Sequence, residues 1–331
     1  MRARRRMTDP ALLVLLALCV AGCSNPSDED APRPRTREEA IPSGAVKMTP
    51  ETDLYPPILH VSEWFDPEPM EGPVNTAGAE DAPVVSLDGN TFLFFFTPGV
   101  SVPPERQLLD GITGIWWTTK TGGEWSEPER AVLNHAISLD GPLCIQGDLL
   151  WFASFRQGMY GADGDIYTAT LRGGAWTDWR NAGAKLNSEY NVGELYTDES
   201  GTRMCFHRLE QSMGGYDLWM TEKVSGEWTP PVNLGAPVNS PNDEGWPWLS
   251  PDGSELWFTA WSGLGHPGPA LFRTFRQGDG SWSEPEEIVS SFAGDPALDR
   301  EGNIYFTHHF FDSEMKMIEA DIYVAKRKAA P

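Results

Sequence analysis

Cysteine is scarce. Four occur in 331 residues, at Cys19, Cys23, Cys144 and Cys205. That number excludes a disulfide-framed small fold and leaves no zinc-spaced Cys/His set. Also missing are a nucleophile elbow, a phosphate loop and a dinucleotide fingerprint. No long apolar period of 3.6 residues runs through the region after residue 23, which argues against a helical architecture. Positive charge is short as well. Lys and Arg total 25 against 48 Asp and Glu, a formal net charge of −23. Such an acidic surface argues against nucleic acid and anionic lipid headgroups as partners.

What is present favours short strands and turns: 33 Gly, 28 Pro and 14 Trp, with 40% hydrophobic residues. The first residues read as an address. Arg2, Arg4, Arg5 and Arg6 precede an apolar run over 11–22, too short to span a bilayer. The run V-A-G-C ending at Cys23 resembles a bacterial lipobox. That resemblance implies cleavage before Cys23 and lipidation of its thiol, hence a membrane-anchored envelope protein on the periplasmic or cell-surface side. Residues 1–22 are then a signal peptide, 23–55 the lipidated cysteine and a polar, disordered tether, and 56–328 the folded domain. Cys144 and Cys205 lie in apolar strands and fit either a disulfide or two buried thiols.

Internal repetition carries the fold prediction. A small residue, any residue and Trp recur at Trp64, Trp125, Trp176, Trp228 and Trp282, 51 to 61 residues apart. A short strand precedes four of them, Gly114-Ile115-Trp116, Asp165-Ile166-Tyr167, Asp217-Leu218-Trp219 and Ala270-Leu271-Phe272, and returns as Asp321-Ile322-Tyr323. A turn and an aromatic strand complete each period, as in Asp252-Gly253 before Leu256–Phe258. Four short strands per period of about 50 residues predict the blade of a β-propeller. The expectation is an all-β, five-bladed β-propeller with blades near 78–133, 137–187, 191–239, 242–290 and 292–327. The last blade lacks its outer strand, so an N-terminal strand at about 60–67 is expected beside 321–325, closing the ring and removing open edges.

The stretch S-P-D-G-S-E-L-W-F-T, residues 250–259, resembles the TolB-like, WD-repeat-like propellers of bacterial envelope proteins, as does the longer run 238–253. The likeness covers roughly 60–327 and implies a fold more than an activity. A second, weaker resemblance is to five-bladed glycosidases of the arabinanase/xylosidase type. It implies Asp81 as base, Asp140 as a tuner of pKa and Glu194 as acid. The Asp-Pro usual in that family is Asp-Ala-Pro at Asp81, and no Pro closely follows Glu194.

Strand direction places the chemistry. In an up-and-down blade the starts of the inner strands and the loops from second to third strand share one face. Those loops are long here (98–113, 156–164, 209–216, 262–269, 309–320), so that face is the expected site. Each inner strand begins with a carboxylate: Asp81, Asp140, Glu194, Glu244 and Asp295. Arg156, His207, Arg208, Trp261, His308 and His309 stand at the ends of second strands, and Trp246 and Trp248 break the repeat nearby. Three readings of the carboxylates stand open: a repeated latch between blades, glycoside hydrolysis, or oxygens for Ca2+ in the central channel. His308 and His309 are adjacent on a strand and should face opposite ways. The expected role is non-catalytic binding of a polar or carbohydrate ligand, or of an envelope protein partner, through Glu244, Asp295, Arg156, Arg208, Trp261, His308 and Trp246. The alternative is a glycosidase-like enzyme using Asp81, Asp140 and Glu194. No cofactor is required by the binding reading.

Overall fold

The computed structural model describes residues 36–133, 137–160 and 164–329. The signal segment, Cys19 and Cys23 lie outside the described residues. Strands dominate, and helix among the described residues is confined to one-turn pieces such as Arg37–Ala40 and Pro104–Gln107.

The strands form five antiparallel meanders in chain order. The first runs Ala79–Val85, Thr91–Thr97, Gly114–Thr121 and Glu124–Trp125. The second runs Leu139–Gln146, Leu149–Phe155, Asp165–Arg172 and Ala175–Asn181. The third has Leu195–Thr197, Arg203–Arg208, Asp217–Val224, Glu227–Trp228 and Val232–Asn233. The fourth has Glu244–Leu249, Glu255–Trp261, Pro269–Phe275 and Glu286–Ser290. The fifth has Ala293–Leu298, Ile304–Phe311 and Met317–Ala325. A parallel pairing, Ala320 with Ala79, joins the fifth meander to the first. The opening strand of each meander packs on the opening strand of the next, and that of the fifth packs on that of the first.

Second strands are covered on both sides, which is why their sequences are aromatic rather than alternating. Phe92, Phe94, Phe152, Phe206, Phe258 and Phe306 are all buried there. The repeated tryptophans pack inward at the outer strands: Trp64 meets Trp257 edge-on at 5.7 Å, and Trp176 meets Trp117 at 5.9 Å. Cys144 and Cys205 are buried free thiols.

The N-terminal segment does more than supply one strand. Glu68–Pro69 pairs with Val324 and Tyr323, and Trp64 bridges to Arg327, beside the fifth meander. Ile58–Leu59 adds a further strand to the fourth meander, opposite Ser290 and Val289. Residues 36–55 differ from the expected disordered tether. They are packed onto the domain, with Arg37 and Asp53 buried. Polar composition suggested a solvated chain, but here the charged side chains have buried partners.

An asparagine clip fastens three of the links between meanders. Asn75, Asn187 and Asn239 each accept from the backbone N–H of a third-strand residue and donate to the same residue's carbonyl: Ile322, Ile166 and Leu218. Each amide imitates one step of a β-ladder. Within the second and third meanders the clip is braced by Asn181 and Asn233, which accept from the clip amides at 2.9 and 2.8 Å.

Candidate functional site

The five acids do not occupy equivalent places. The opening strands bulge at a residue followed by proline, and Ala82, Trp246 and Asp295 sit there with φ of 50°, 50° and 55°. Positive φ in a non-glycine residue costs about 1–3 kcal/mol and needs outside support. Threonines of the preceding meander give some: Thr307 Oγ1 accepts from Ala82 N–H at 3.2 Å, and Thr259 Oγ1 accepts from Asp295 N–H at 3.0 Å. Counted from that proline, Glu80 and Glu244 stand three residues before it, Asp81 and Asp140 two, and Asp295 one. Side chains alternate along a strand, so these acids point in different directions.

Glu244 is a local clamp. It is buried and accepts from the backbone N–H and hydroxyl of Ser240, four residues back. Glu80, its true counterpart, does the same with Thr76. Burial pushes both carboxyls up to about 7. Asp140 is likewise engaged, accepting from Ser138, Ser154 and the Arg156 guanidinium at 2.8 Å. Arg156 lies 4.3 Å from the Tyr167 ring centre and 5.0 Å from that of Trp179. Arg208 stacks on Trp219 at 4.9 Å. Glu244, Asp140, Arg156 and Arg208 are thus absorbed by scaffold contacts. So is His308, whose Nε2 meets Asp53 at 2.8 Å with both side chains buried. Trp261 is half-buried at the end of its strand.

Two of the predicted acids converge on a histidine. Donor atoms of Asp81, Asp295 and His309 lie within 4.8 Å of one another, with His309 Nε2 3.9 Å from Asp81 Oδ1. Asp81 and Asp295 are half-buried, and so is Glu194. Glu194 joins them electrostatically. Burial, then Asp81, pushes its carboxyl to about 8, against a hydrogen bond from Trp246. Burial, then Asp81 and Glu194, holds the Asp295 carboxyl well above the usual range. Burial drives the His309 imidazole down, so it stays neutral. Acids from the first, third and fifth meanders therefore influence one another, and two of them are driven toward their protonated forms.

His207 braces the Glu194 side. Its Nε2 accepts from Glu194 N–H at 3.4 Å, and its ring lies 4.8 Å from Tyr216 and 5.4 Å from Trp246. Gly193 is required there, because a Cβ would sit 2.4 Å from the imidazole Cδ2. Burial lowers His207 to about 4, so the ring remains neutral and can accept. Sequence reasoning placed His207 on the right face but gave it no partner. The adjacent small residue, Gly193, was the available signal.

The donors of Asp81, Asp295 and neutral His309 could hold a divalent cation. Two carboxylates with an imidazole nitrogen suit a borderline ion better than Ca2+, which takes six to eight oxygens. Without an ion the same groups can exchange hydrogen bonds with hydroxyls, a protonated carboxyl donating and an ionised one accepting.

No family model matches the sequence, and no curated protein matches it. Solved structures do. The chain is similar to an α-L-arabinofuranosidase from Podospora anserina, at 12% identity over 79% of this chain and 95% of that one, TM-score 0.48. It is similar to an endo-arabinase from Bacteroides thetaiotaomicron, at 14% identity over 78% and 97%, TM-score 0.45. It is also similar to TolB from Acinetobacter baumannii, at 15% identity over 75% and 69%, TM-score 0.38. Likeness of this degree assigns neither family nor activity. The chain is an all-β protein of several sheets, similar to TolB and to arabinanase-type structures.

Proposed function

We propose that the five meanders are blades of a five-bladed propeller, with a hydroxyl-rich ligand of the carbohydrate class bound at the Asp81, Glu194, Asp295 and His309 cluster. The cyclic packing of opening strands supports the ring, since each meander then buries both faces on neighbours. The observation that carries the binding reading is the meeting of the half-buried Asp81 and Asp295 carboxyls, from two meanders, with the His309 imidazole, their donor atoms within 4.8 Å of one another; Glu194 is near enough for Asp81 to raise its pKa. The structural acids Glu80, Asp140 and Glu244 are satisfied by serine, threonine or arginine. Here Asp81 instead helps to raise the pKa of both Glu194 and Asp295, a frustration typical of groups arranged for a ligand. Trp246 stands beside this cluster, its ring 5.4 Å from that of His207.

Glycoside hydrolysis is a second reading, favoured by one fact. Glu194 is pushed to about 8 beside Asp81, the pairing of a protonated acid with a second carboxyl that such chemistry needs. In it Glu194 gives its proton to the leaving oxygen and Asp81 takes one from water. Asp295, not Asp140, is the group whose charge is coupled to both. Asp140 is committed to Arg156.

Calorimetric titration of the wild-type chain with neutral glycans, alongside aryl-glycoside assays, tests both. Binding that weakens at least tenfold in Asp295→Asn and Asp81→Asn, without turnover, supports the binding reading. Turnover that Glu194→Gln abolishes supports hydrolysis. Failure of every glycan to bind wild type removes the carbohydrate reading, and equal affinity in both Asp variants removes the cluster.

A further inference from the structure

Residues 36–55 run along the loop-rich face and reach both the first and the last meander. Three charged side chains seat this arm, each in its own socket. The Arg37 guanidinium, 1% exposed, donates to the carbonyls of Pro73 and Val74 and meets Glu80 at 3.2 Å. Phe94, Phe96 and Trp116 surround it, at 5.2 to 5.6 Å from ring centres. Lys47 pairs with Glu319 and Asp321, and Met48 N–H donates to Glu319 at 2.9 Å. Asp53 accepts from His308, as described above. A buried charge is strongly disfavoured unless paired, so the sockets of Arg37 and Asp53, both about 1% exposed, recognise this segment, and the partly exposed Lys47 adds a charge pair between them.

The far end of the arm touches the supports of the cluster. His308 precedes His309 on the strand Ile304–Phe311. The Tyr55 carbonyl accepts from Ser291 Oγ at 2.8 Å, and its ring meets Phe292 edge-on at 5.6 Å. Ser291 and Phe292 have φ of 75° and 58°, a strained approach to the strand that presents Asp295. The Phe292 carbonyl in turn accepts from His309 N–H at 3.0 Å. Two short paths therefore lead from the arm to the site. One passes from Asp53 to His308, the other from Tyr55 to Ser291 and Phe292.

We propose that the arm is part of the site: Asp53, acting through His308, and Tyr55, acting through Phe292, are positioning residues that set where His309 and Asp295 stand. The significance of the arm rests on the binding role given to the cluster, but the positioning is measured without any ligand. The chain has six histidines, so imidazole NMR spectra of the full chain are tractable, with His309→Gln assigning the signal. Asp53→Ala removes the acceptor for His308. The expected result is a displaced His309 resonance and about tenfold faster amide exchange in 292–295 and 304–311. Asp53→Asn keeps an acceptor oxygen of the same reach, so the His309 signal should return to its wild-type position. Unchanged His309 signals in Asp53→Ala overturn the proposal. So does faster exchange that extends equally to the distant strand Leu149–Phe155, which would mark general loosening. A displaced His309 signal in a protein that binds no glycan would uphold the arm while removing the proposed ligand.

Discussion

At the residue scale the cluster carries a cost that pH exposes. Glu194 has an ordinary pKa near 4.5 when unfolded and about 8 when folded. Between those values the folded chain keeps a proton that the unfolded chain has released. Stability from this group is complete below about pH 4.5 and is lost as pH rises through about 8. Glu194→Gln holds the neutral shape at every pH. The variant should match wild type near pH 4 and exceed it near pH 8, by roughly 1–3 kcal/mol. Each tenfold difference in proton affinity between folded and unfolded chain is worth about 1.4 kcal/mol, and the neighbouring acids share the total. Urea unfolding at pH 4, 6 and 8 measures this. A constant difference between the two proteins across pH would show that Glu194 is ionised in the folded chain. Asp295 is expected to act in the same direction, since it too is held above its usual range.

At the element scale most of the strand order was legible, and the reason is local. Each turn pairs Gly with short polar residues, and each second strand carries Phe, as in Leu93-Phe94, Trp151-Phe152, Cys205-Phe206 and Trp257-Phe258. Those signals sit within a few residues and depend little on the rest of the chain. The carboxylates were not legible in the same way. Asp81 and Glu244 look interchangeable as acids at strand starts, yet a one-residue offset from the following proline turns the side chain to another face. Only the bulge at Ala82, Trp246 and Asp295 fixes that offset. The docked arm was hidden for a related reason: nothing local to Arg37 or Asp53 announces a partner in the first or last meander. The asparagine clips were readable in principle, because Asn181 with Asn187 and Asn233 with Asn239 share one spacing. Their energetic role follows from the pairing of backbone groups. Asn239→Ala strips Leu218 of an acceptor for its N–H and a donor for its carbonyl. Each buried group left unpaired costs about 1–3 kcal/mol. A loss of about 2–4 kcal/mol is expected in chemical unfolding. A loss below about 0.5 kcal/mol for the alanine variant would mean that water replaces the clip.

At the scale of the whole molecule, the arm decides how the domain would face a membrane. Among the described residues no helix is long and apolar enough to cross one; the attachment proposed for this chain is the lipid at Cys23. From Cys23 to Thr36 the chain has 13 steps, which at about 3.5 Å each reach at most about 45 Å. The arm begins at the first meander and lies along the loop-rich face, so the proposed lipid would leash that face toward the bilayer. The opposite face, around Gly147 and Asp148, would be held away by the depth of the domain. The cluster of Asp81, Glu194, Asp295 and His309 would then look toward membrane-proximal ligands, and the net charge of −23 would keep the domain off anionic headgroups. Two measurements follow in sequence. Cys23→Ser should move the protein from the membrane fraction to the soluble fraction, and retention in the membrane would refute the lipid. With the lipidated chain in vesicles, fluorophores placed at Ser212→Cys and at Asp148→Cys can be compared for energy transfer to a headgroup acceptor. Cys144 and Cys205 are buried, so labelling stays specific. Transfer should be stronger from position 212, because its loop belongs to the leashed face, while equal or reversed transfer would show that the arm does not set the orientation of the domain.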